Sequence, residues 1–364
     1  MQSKFPELRQ VQTIACLMLA DLGDVLVVTP TLHAIREKFP DARITLIVRS
    51  NVVPLIRHNP NYDELLIYKN QQRVGKALFL IRLLFRNRFD LWIDLHTPTF
   101  NTFCDNSEIF KRNALLIKIS RPKYRLGFAV PQLAPVLTHP VPVPSHENLA
   151  TENIVDTTLR VVFENGNHLH RKLYSLDVES QNWAKKTAET IGLKNPIIGF
   201  FFGAKQPAEI WRADLAQKFV RLLLEKYPNI NLVLFGGELE RQAANEISTS
   251  LPRTLRLRVH DLIGKTSLLR TGALMEHCSA IVSTNSGPMH MADGLSIPMV
   301  ILFSSKNYLP IWLPTNSRFI LINHSVPCSP CFKIACPIND PCIDLISPDE
   351  VLNALERLAD LSTV

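Results

Sequence analysis

The chain has 364 residues, 46% of them hydrophobic and 20% charged, a balance that excludes a disordered or fibrous protein and gives room for two domains, each with its own core. No apolar stretch approaches the roughly 20 residues needed to span a bilayer. The net charge of +7 is concentrated in residues 69–125, where twelve Lys or Arg face four acids, so the remainder is close to neutral. A basic region of this kind attracts phosphate-bearing substrates or an anionic membrane surface, with a merely solvated face as the alternative. Nucleic acid is excluded as a partner because no recognisable binding module accompanies the charge.

Lys4 and Arg9 precede the apolar segment Thr13–Ala20, which has the look of a short signal-peptide core. It runs directly into Asp21-Leu-Gly-Asp24 and a further amphipathic pattern, so it reads as a first β-strand and places the protein in the cytoplasm. Strands are predicted at 13–19, 43–48, 65–68 and 91–95. A Gly-containing turn follows the first, and then Val28, Leu32, Ile35 and Phe39 line one face of a helix closed by Pro40 and Asp41. The Pro-rich passage from Pro131 to Pro144 reads as an extended connector, followed by a helix over Glu152–Phe163.

The second half repeats the alternation: a strand over Ile197–Phe202, a helix over Leu215–Lys226, a strand over Leu232–Phe235 and a helix through Glu246. After these come a short segment before Gly264, a helix over Leu268–His277, the strand Ala280–Ser283, a helix from about Met289 and the strand Met299–Phe303. Alternating strands and helices are the signature of βαβ units and parallel sheets. The reading is an α/β protein made of two Rossmann-like domains facing each other across a cleft.

Within this frame VSTNSGPMHMADG, Val282–Gly294, is a strand, a turn and a helix start at the carboxyl edge of a parallel sheet, where open α/β folds bind ligands. Ser286, Gly287 and the next amides would offer free N–H groups and the positive end of a helix dipole, an arrangement suited to phosphate. Pro288 fits the first turn, where its missing N–H would be unpaired anyway, and His290 is expected near the ligand end. An ordinary N-cap by Asn285 or Ser286 would look the same locally. Asp24, beside Gly23 at the edge of the first strand, is placed either to cap a helix or to take a proton from an acceptor hydroxyl. Four of the seven cysteines, Cys328, Cys331, Cys336 and Cys342, are spaced like a four-thiolate metal site, with zinc or iron as the metal and unligated thiols in a Pro-rich loop as the alternative.

Leu22-Gly-Asp-Val-Leu-Val-Val-Thr-Pro-Thr-Leu32 resembles the N-terminal signature of the family 9 glycosyltransferases, the ADP-heptose:lipopolysaccharide heptosyltransferases. Phe202-Gly-Ala204 with Trp211, Leu234-Phe-Gly-Gly237, Asp261-Leu-Ile-Gly-Lys-Thr-Ser267 and Ser283-Thr-Asn-Ser-Gly-Pro-Met-His290 agree in order and spacing, and the run from Cys328 is similar to the family's C-terminal segment. The resemblance implies a GT-B architecture: residues 1–175 for the lipid A–core acceptor, 176–347 for ADP-heptose, and a helix in 348–364 returning towards the first domain. It implies an inverting enzyme that needs no cofactor for catalysis, with Asp24 as general base and Gly23 on the acceptor side. Gly203, Lys205, Thr284, Asn285, Ser286, Gly287, Met289 and His290 are the donor-binding residues it implies. Such an enzyme would be cytoplasmic and peripheral at the inner face of the inner membrane.

Three positions depart from the family pattern. Asn285 stands where an Asp is common, Glu209 where a Lys facing the pyrophosphate is usual, and Ser304-Ser305-Lys306 replaces Gly-Pro-Thr. A carboxylate at 209 is expected to repel the donor, with Lys205 substituting as the cation and Lys306 lying at the cleft mouth. Two rival readings follow: a protein heptosyltransferase of the autotransporter-modifying kind, whose relatives hold iron through cysteines, and a non-catalytic sugar-nucleotide-binding protein.

Overall fold

The computed structural model describes residues 10–69, 73–85, 89–98, 107–163, 171–192, 195–339 and 341–361. Lys4, Arg9, Arg86 and Arg88 lie outside the described residues. The chain divides into two compact units, one formed by residues 1–175 with Pro310–Leu313, the other by residues 176–309 with 314–364.

The first unit runs β1 (Thr13–Met18), α1 (Leu22–Val27), α2 (Thr29–Lys38), β2 (Arg43–Arg49), α3 (Val53–Ile56), β3 (Glu64–Tyr68), α4 (Arg73–Phe85), β4 (Leu91–Asp94), α5 (Ser107–Ser120), β5 (Tyr124–Phe128), β6 (His139–Val141), α6 (His146–Thr151) and α7 (Ile154–Leu159). Its sheet has the order β3-β2-β1-β4-β5-β6, and every pairing in it is parallel. Successive side chains of a strand point to opposite faces, and both faces of this sheet are covered, so β1 reads as a continuous apolar run. Ile14, Cys16 and Met18 join Val25, Leu32 and Ile35 of α1 and α2, while Ala15 and Leu17 join Phe79, Leu83, Phe110 and Ile117 of α4 and α5.

Four local expectations change here. Gly23 lies inside the first turn of α1 rather than in a loop, because Asp21 already has the extended backbone of an N-cap. The single helix expected after β1 is two helices that meet at Val28. Pro30 has no N–H to give the Leu26 carbonyl, and the buried Thr29 hydroxyl donates to that oxygen instead, at 2.7 Å. The helix expected over 152–163 is shorter, since Asn153 is extended and caps α7 by accepting from the Val155 amide at 3.0 Å, and the helix ends at Leu159. The Pro-rich connector contributes the edge strand β6, where Pro140 lacks only a bond that an outer strand can forgo.

The second unit runs α8 (Val178–Ile191), β7 (Ile197–Phe201), α9 (Ala213–Lys226), β8 (Asn231–Leu234), α10 (Arg241–Ser250), α11 (Arg253–Arg256), β9 (Val259–Asp261), α12 (Leu268–Met275), β10 (Ala280–Thr284), α13 (Gly287–Gly294), β11 (Met299–Phe303), β12 (Phe319–Asn323) and α14 (Pro348–Leu358). The order β12-β11-β10-β7-β8-β9 repeats that of the first sheet when strands are counted from β7, again with parallel pairing throughout. This is the doubly wound order in which the chain reverses direction beside its first strand. Two Rossmann-like α/β units are therefore present, as the alternation of patterns predicts.

The helix α14 belongs to the core of this unit. Ser347 and Glu350 close a capping box at its start, and Val351, Leu355 and Leu358 pack with Phe219, Leu223 and Leu224 of α9. Trp211 is fully buried against Phe200 and Phe219, and its indole N–H donates to the Ile346 carbonyl at 3.2 Å. No helix among the described residues is long and apolar enough to cross a membrane.

Candidate functional site

In each unit the reversal of strand order leaves two loops splayed at the carboxyl edge, between β1 and β4 in the first and between β7 and β10 in the second. The predicted donor residues gather at the second of these points. The strand β10 is buried along its whole length, Ser286 caps α13 in an extended conformation, and Pro288 sits in the first turn. The Thr284 hydroxyl donates to the Gly203 carbonyl at 2.7 Å and lies 3.1 Å from the Ser286 hydroxyl, which ties the loop after β7 to the start of α13. Asn285 is buried and its amide donates to the Leu302 carbonyl of β11 at 3.2 Å.

Gly203 has a steric reason to be glycine. A Cβ there would lie 2.3 Å from Oε1 of Glu240, whose other oxygen accepts from the Gly237 amide at 2.8 Å. Lys205 is exposed on the same loop. Met289 and His290, in the first turns of α13, are buried at 0% and 4% exposure. The helix terminus, with its oriented amides and positive dipole end, is the part of the motif able to meet an anion.

Glu209 is buried, and its charge is met inside the protein. Lys306, 1% exposed, bonds to the Gln206 side-chain oxygen and places its ammonium 3.4 Å from Glu209 Oε1, while Asn307 Nδ2 donates to that oxygen at 3.0 Å. Burial pushes the Glu209 carboxyl above the usual range, and Lys306 and Asn307 pull it back. Lys306 is thus enclosed rather than exposed at a mouth, and two departures from the family pattern are partners of opposite sign. Sequence reading treated them singly because 97 positions separate them, and only the parallel order of β7, β10 and β11 brings them together.

At the first unit's edge, Asp24 occupies the third position of α1 and accepts from the Asp21 amide at 3.2 Å, closing a capping box. Its capping role is therefore real, and its half-buried carboxylate stands in the first helical turn beside the end of β1. Arg49, at the end of β2, lies 3.3 Å from Asp21 Oδ1.

A polar cluster that the motif search missed follows β4. Asn113 Nδ2 donates to Asp94 Oδ2 at 2.8 Å and lies 3.2 Å from His96 Nδ1, and the His96 amide donates to Asp94 Oδ1 at 2.9 Å. All three residues are buried, and among the described residues His96 Nε2 has no partner. Arg112, whose side chain donates to Asn113 Oδ1, has its basicity lowered by burial and by the charge of Arg49, against Tyr68 and Asp94. The available signal was position: His96 and Arg49 lie at the carboxyl ends of predicted strands.

Among the described residues no three His, Cys, Asp or Glu side chains come together as metal ligands. Cys342 opens a single 3-10 turn with its Sγ 3.4 Å from Ser304 Oγ, while Cys328 is exposed in the preceding loop.

The chain is similar to the Lipopolysaccharide heptosyltransferase 3 of Escherichia coli, 23% identical over 308 residues that cover 82% of this chain and 85% of that protein. The Lipooligosaccharide heptosyltransferase 2 of a Campylobacter jejuni strain is 24% identical over 341 residues, 93% of this chain and 96% of that one. A solved structure of E. coli ADP-heptose LPS heptosyltransferase II superposes with a TM-score of 0.72 at 20% identity, covering 95% of this chain and 98% of that one, which establishes a shared fold. The model of glycosyltransferase family 9 (heptosyltransferase) matches residues 112–340, more than half of the chain, and the chain is a member of that family, a glycosyltransferase.

Proposed function

We propose that the protein transfers a heptose from ADP-heptose to a hydroxyl of the lipopolysaccharide inner core, with inversion at the anomeric carbon. The observation that carries the donor half of this reading is the start of α13, fixed to the loop after β7 by the Thr284–Gly203 bond. Oriented amides there would receive the charge that develops on departing ADP, without reorganising as the bond breaks. Relatives described as acting on lipopolysaccharide or lipooligosaccharide support the acceptor class, and the basic stretch in residues 69–125 suits a phosphorylated acceptor and an anionic lipid surface.

In this reading Asp24 takes the proton of the attacking hydroxyl as the new bond to the anomeric carbon forms. The donor sugar leaves ADP from the opposite face, and the diphosphate keeps the bonding electron pair. Gly203, Lys205, Thr284, Asn285, Ser286 and Gly287 surround the donor, with Met289 and His290 supporting the helix from within. The enzyme would work peripherally at the inner face of the inner membrane.

The test is a panel of nucleotide sugars offered to the purified protein with a heptose-deficient lipid A–core acceptor, the product linkage being read by NMR. Transfer from ADP-heptose with inverted configuration is expected. Transfer from another nucleotide sugar in preference, retention of configuration, or ADP binding with no transfer would each overturn the reading.

A further inference from the structure

The helices α4 and α5 touch each other and cover one face of the first sheet, where Phe79, Leu83, Phe110 and Ile117 pack with Ala15, Leu17 and Trp92. Their outward side is not the polar surface that a helix covering a core normally turns to water. Leu78, Ile81 and Leu115 are 54%, 48% and 55% exposed, and among the described residues they are the exposed large apolar side chains of the first unit. Those of the second unit lie in turns, loops and helix ends, as scattered surface residues commonly do.

Charge on the same side is mostly of one sign. Arg82 is exposed beside Ile81 and four positions after Leu78, and the exposed residues Lys111, Leu115 and Lys118, spaced by four and three, form a stripe along α5. Glu108 pairs with Lys111 at 2.7 Å, whereas Arg82 and Lys118 meet no acid among the described residues. A sugar or a nucleotide has no use for three exposed aliphatic side chains, and an apolar protein partner has none for the cations. A bilayer surface rich in anionic headgroups takes both, because aliphatic groups enter the boundary between headgroups and acyl chains while cations meet the lipid phosphates. We infer that α4 and α5 form a docking face for an anionic lipid surface, with Leu78, Ile81 and Leu115 as shallow anchors and Arg82, Lys111 and Lys118 as its charge. The choice of a lipid partner rests on the functional reading above, which puts the acceptor in a membrane; the face itself is drawn from exposure and charge.

The experiment is cosedimentation of the full chain with vesicles of phosphatidylethanolamine and phosphatidylglycerol, set against vesicles of phosphatidylcholine alone, with a thermal melt for each variant. Wild type is expected to prefer the anionic vesicles and to bind them less strongly as salt is added. L78S/I81S/L115S should lose roughly tenfold or more in partitioning, since three half-exposed side chains no longer leave water. R82E/K118E should lose a similar factor at low salt and much less at high salt. The control V178S/L257S/I338S removes equally exposed apolar groups from the second unit and should bind like wild type. Equal binding to neutral vesicles, unchanged partitioning of the folded L78S/I81S/L115S variant, or an equal loss in the control would overturn the inference. So would a wild-type dimer in sedimentation velocity that this variant breaks, because the face would then join two copies of the chain. Transfer to a core oligosaccharide freed of its lipid separates docking from chemistry: both face variants should turn over at the wild-type rate. Slower transfer by a folded variant would assign the face to the acceptor site and overturn the inference, whereas no transfer by wild type that still binds anionic vesicles would overturn the functional reading alone.

Discussion

The two sheets share one strand order and differ in what they present at the point where that order reverses. After β1 the chain enters α1 almost at once, and the first turn carries a carboxylate, Asp24. After β7 it runs through residues 202–212 before α9 begins, and that loop is stitched sideways to its neighbours through Gly203, Gln206 and Glu209. The helix start that faces outward at this second edge follows β10 instead. One backbone plan thus yields an edge with an acid in the first unit and an edge with oriented amides and a held ammonium in the second. The sign of an α/β ligand edge is set by loop length and by a few side chains, and the sheet itself is indifferent to it.

The sharpest way to break this comparison is to remove the acid from the first edge. Asp24→Asn should lower turnover about 10²- to 10⁴-fold while leaving ADP affinity intact, as measured by steady-state transfer and by calorimetry. Normal turnover would mean that the carboxylate serves only the capping box seen with Asp21.

A smaller effect is expected from crowding the second edge. Gly203→Ala places a methyl group within 2.6 Å of three Glu240 side-chain atoms and should lower stability by about 1–3 kcal/mol, with weaker ADP binding. Gly203 has no positive backbone angle, so adding Glu240→Ala should restore much of the loss in a denaturant titration. A failure of that rescue would show that the glycine is needed for ligand approach instead.

Thr29→Val tests the break between α1 and α2. It leaves the Leu26 carbonyl without the hydroxyl that replaces the missing Pro30 amide, and it removes the acceptor for the Leu173 amide at 2.9 Å. The expected loss is about 1–3 kcal/mol in chemical denaturation. No change would mean that the helix break stands on Pro30 alone.

The smallest effect is a pH dependence at the opposite edge of the first sheet. Burial tends to raise the Asp63 carboxyl, but the Ile44 amide at 2.7 Å and Arg36 at 2.6 Å outweigh it and hold the group below its ordinary value. The unfolded chain therefore takes up the proton first. The stability this group adds is complete above the ordinary value of 3.8 and disappears as the pH falls through the depressed one. Asp63→Asn should be less stable than wild type near neutral pH and converge with it in acid; parallel curves would remove Asp63 from the acid response.

How far this architecture could be read in advance depended on whether the cause was local. Apolar runs such as Ile197–Phe202 and Met299–Phe303 announce themselves because a strand buried on both faces has nothing else to be. The turn at Thr284–Gly287 was equally plain, since a helix terminus is written in a cap, a Gly and a Pro. The strand β6 was hidden because its partner, β5, supplies the reason for Pro140 to be extended. The partner of Glu209 was hidden for the same kind of reason, since Lys306 arrives from beyond another strand. His96 is the intermediate case, visible by position but without meaning until Asp94 and Asn113 close around it.

The bond from Trp211 to the Ile346 carbonyl has a consequence for synthesis on the ribosome. The loop that carries Glu209 is registered against a segment more than a hundred residues later, and the apolar face of α9 stays open until Pro348–Leu358 has emerged. The first unit, apart from the short return through Pro310–Leu313, is made of residues already translated by 175. Its fold can form while the other is still being made, and the second unit is completed only late.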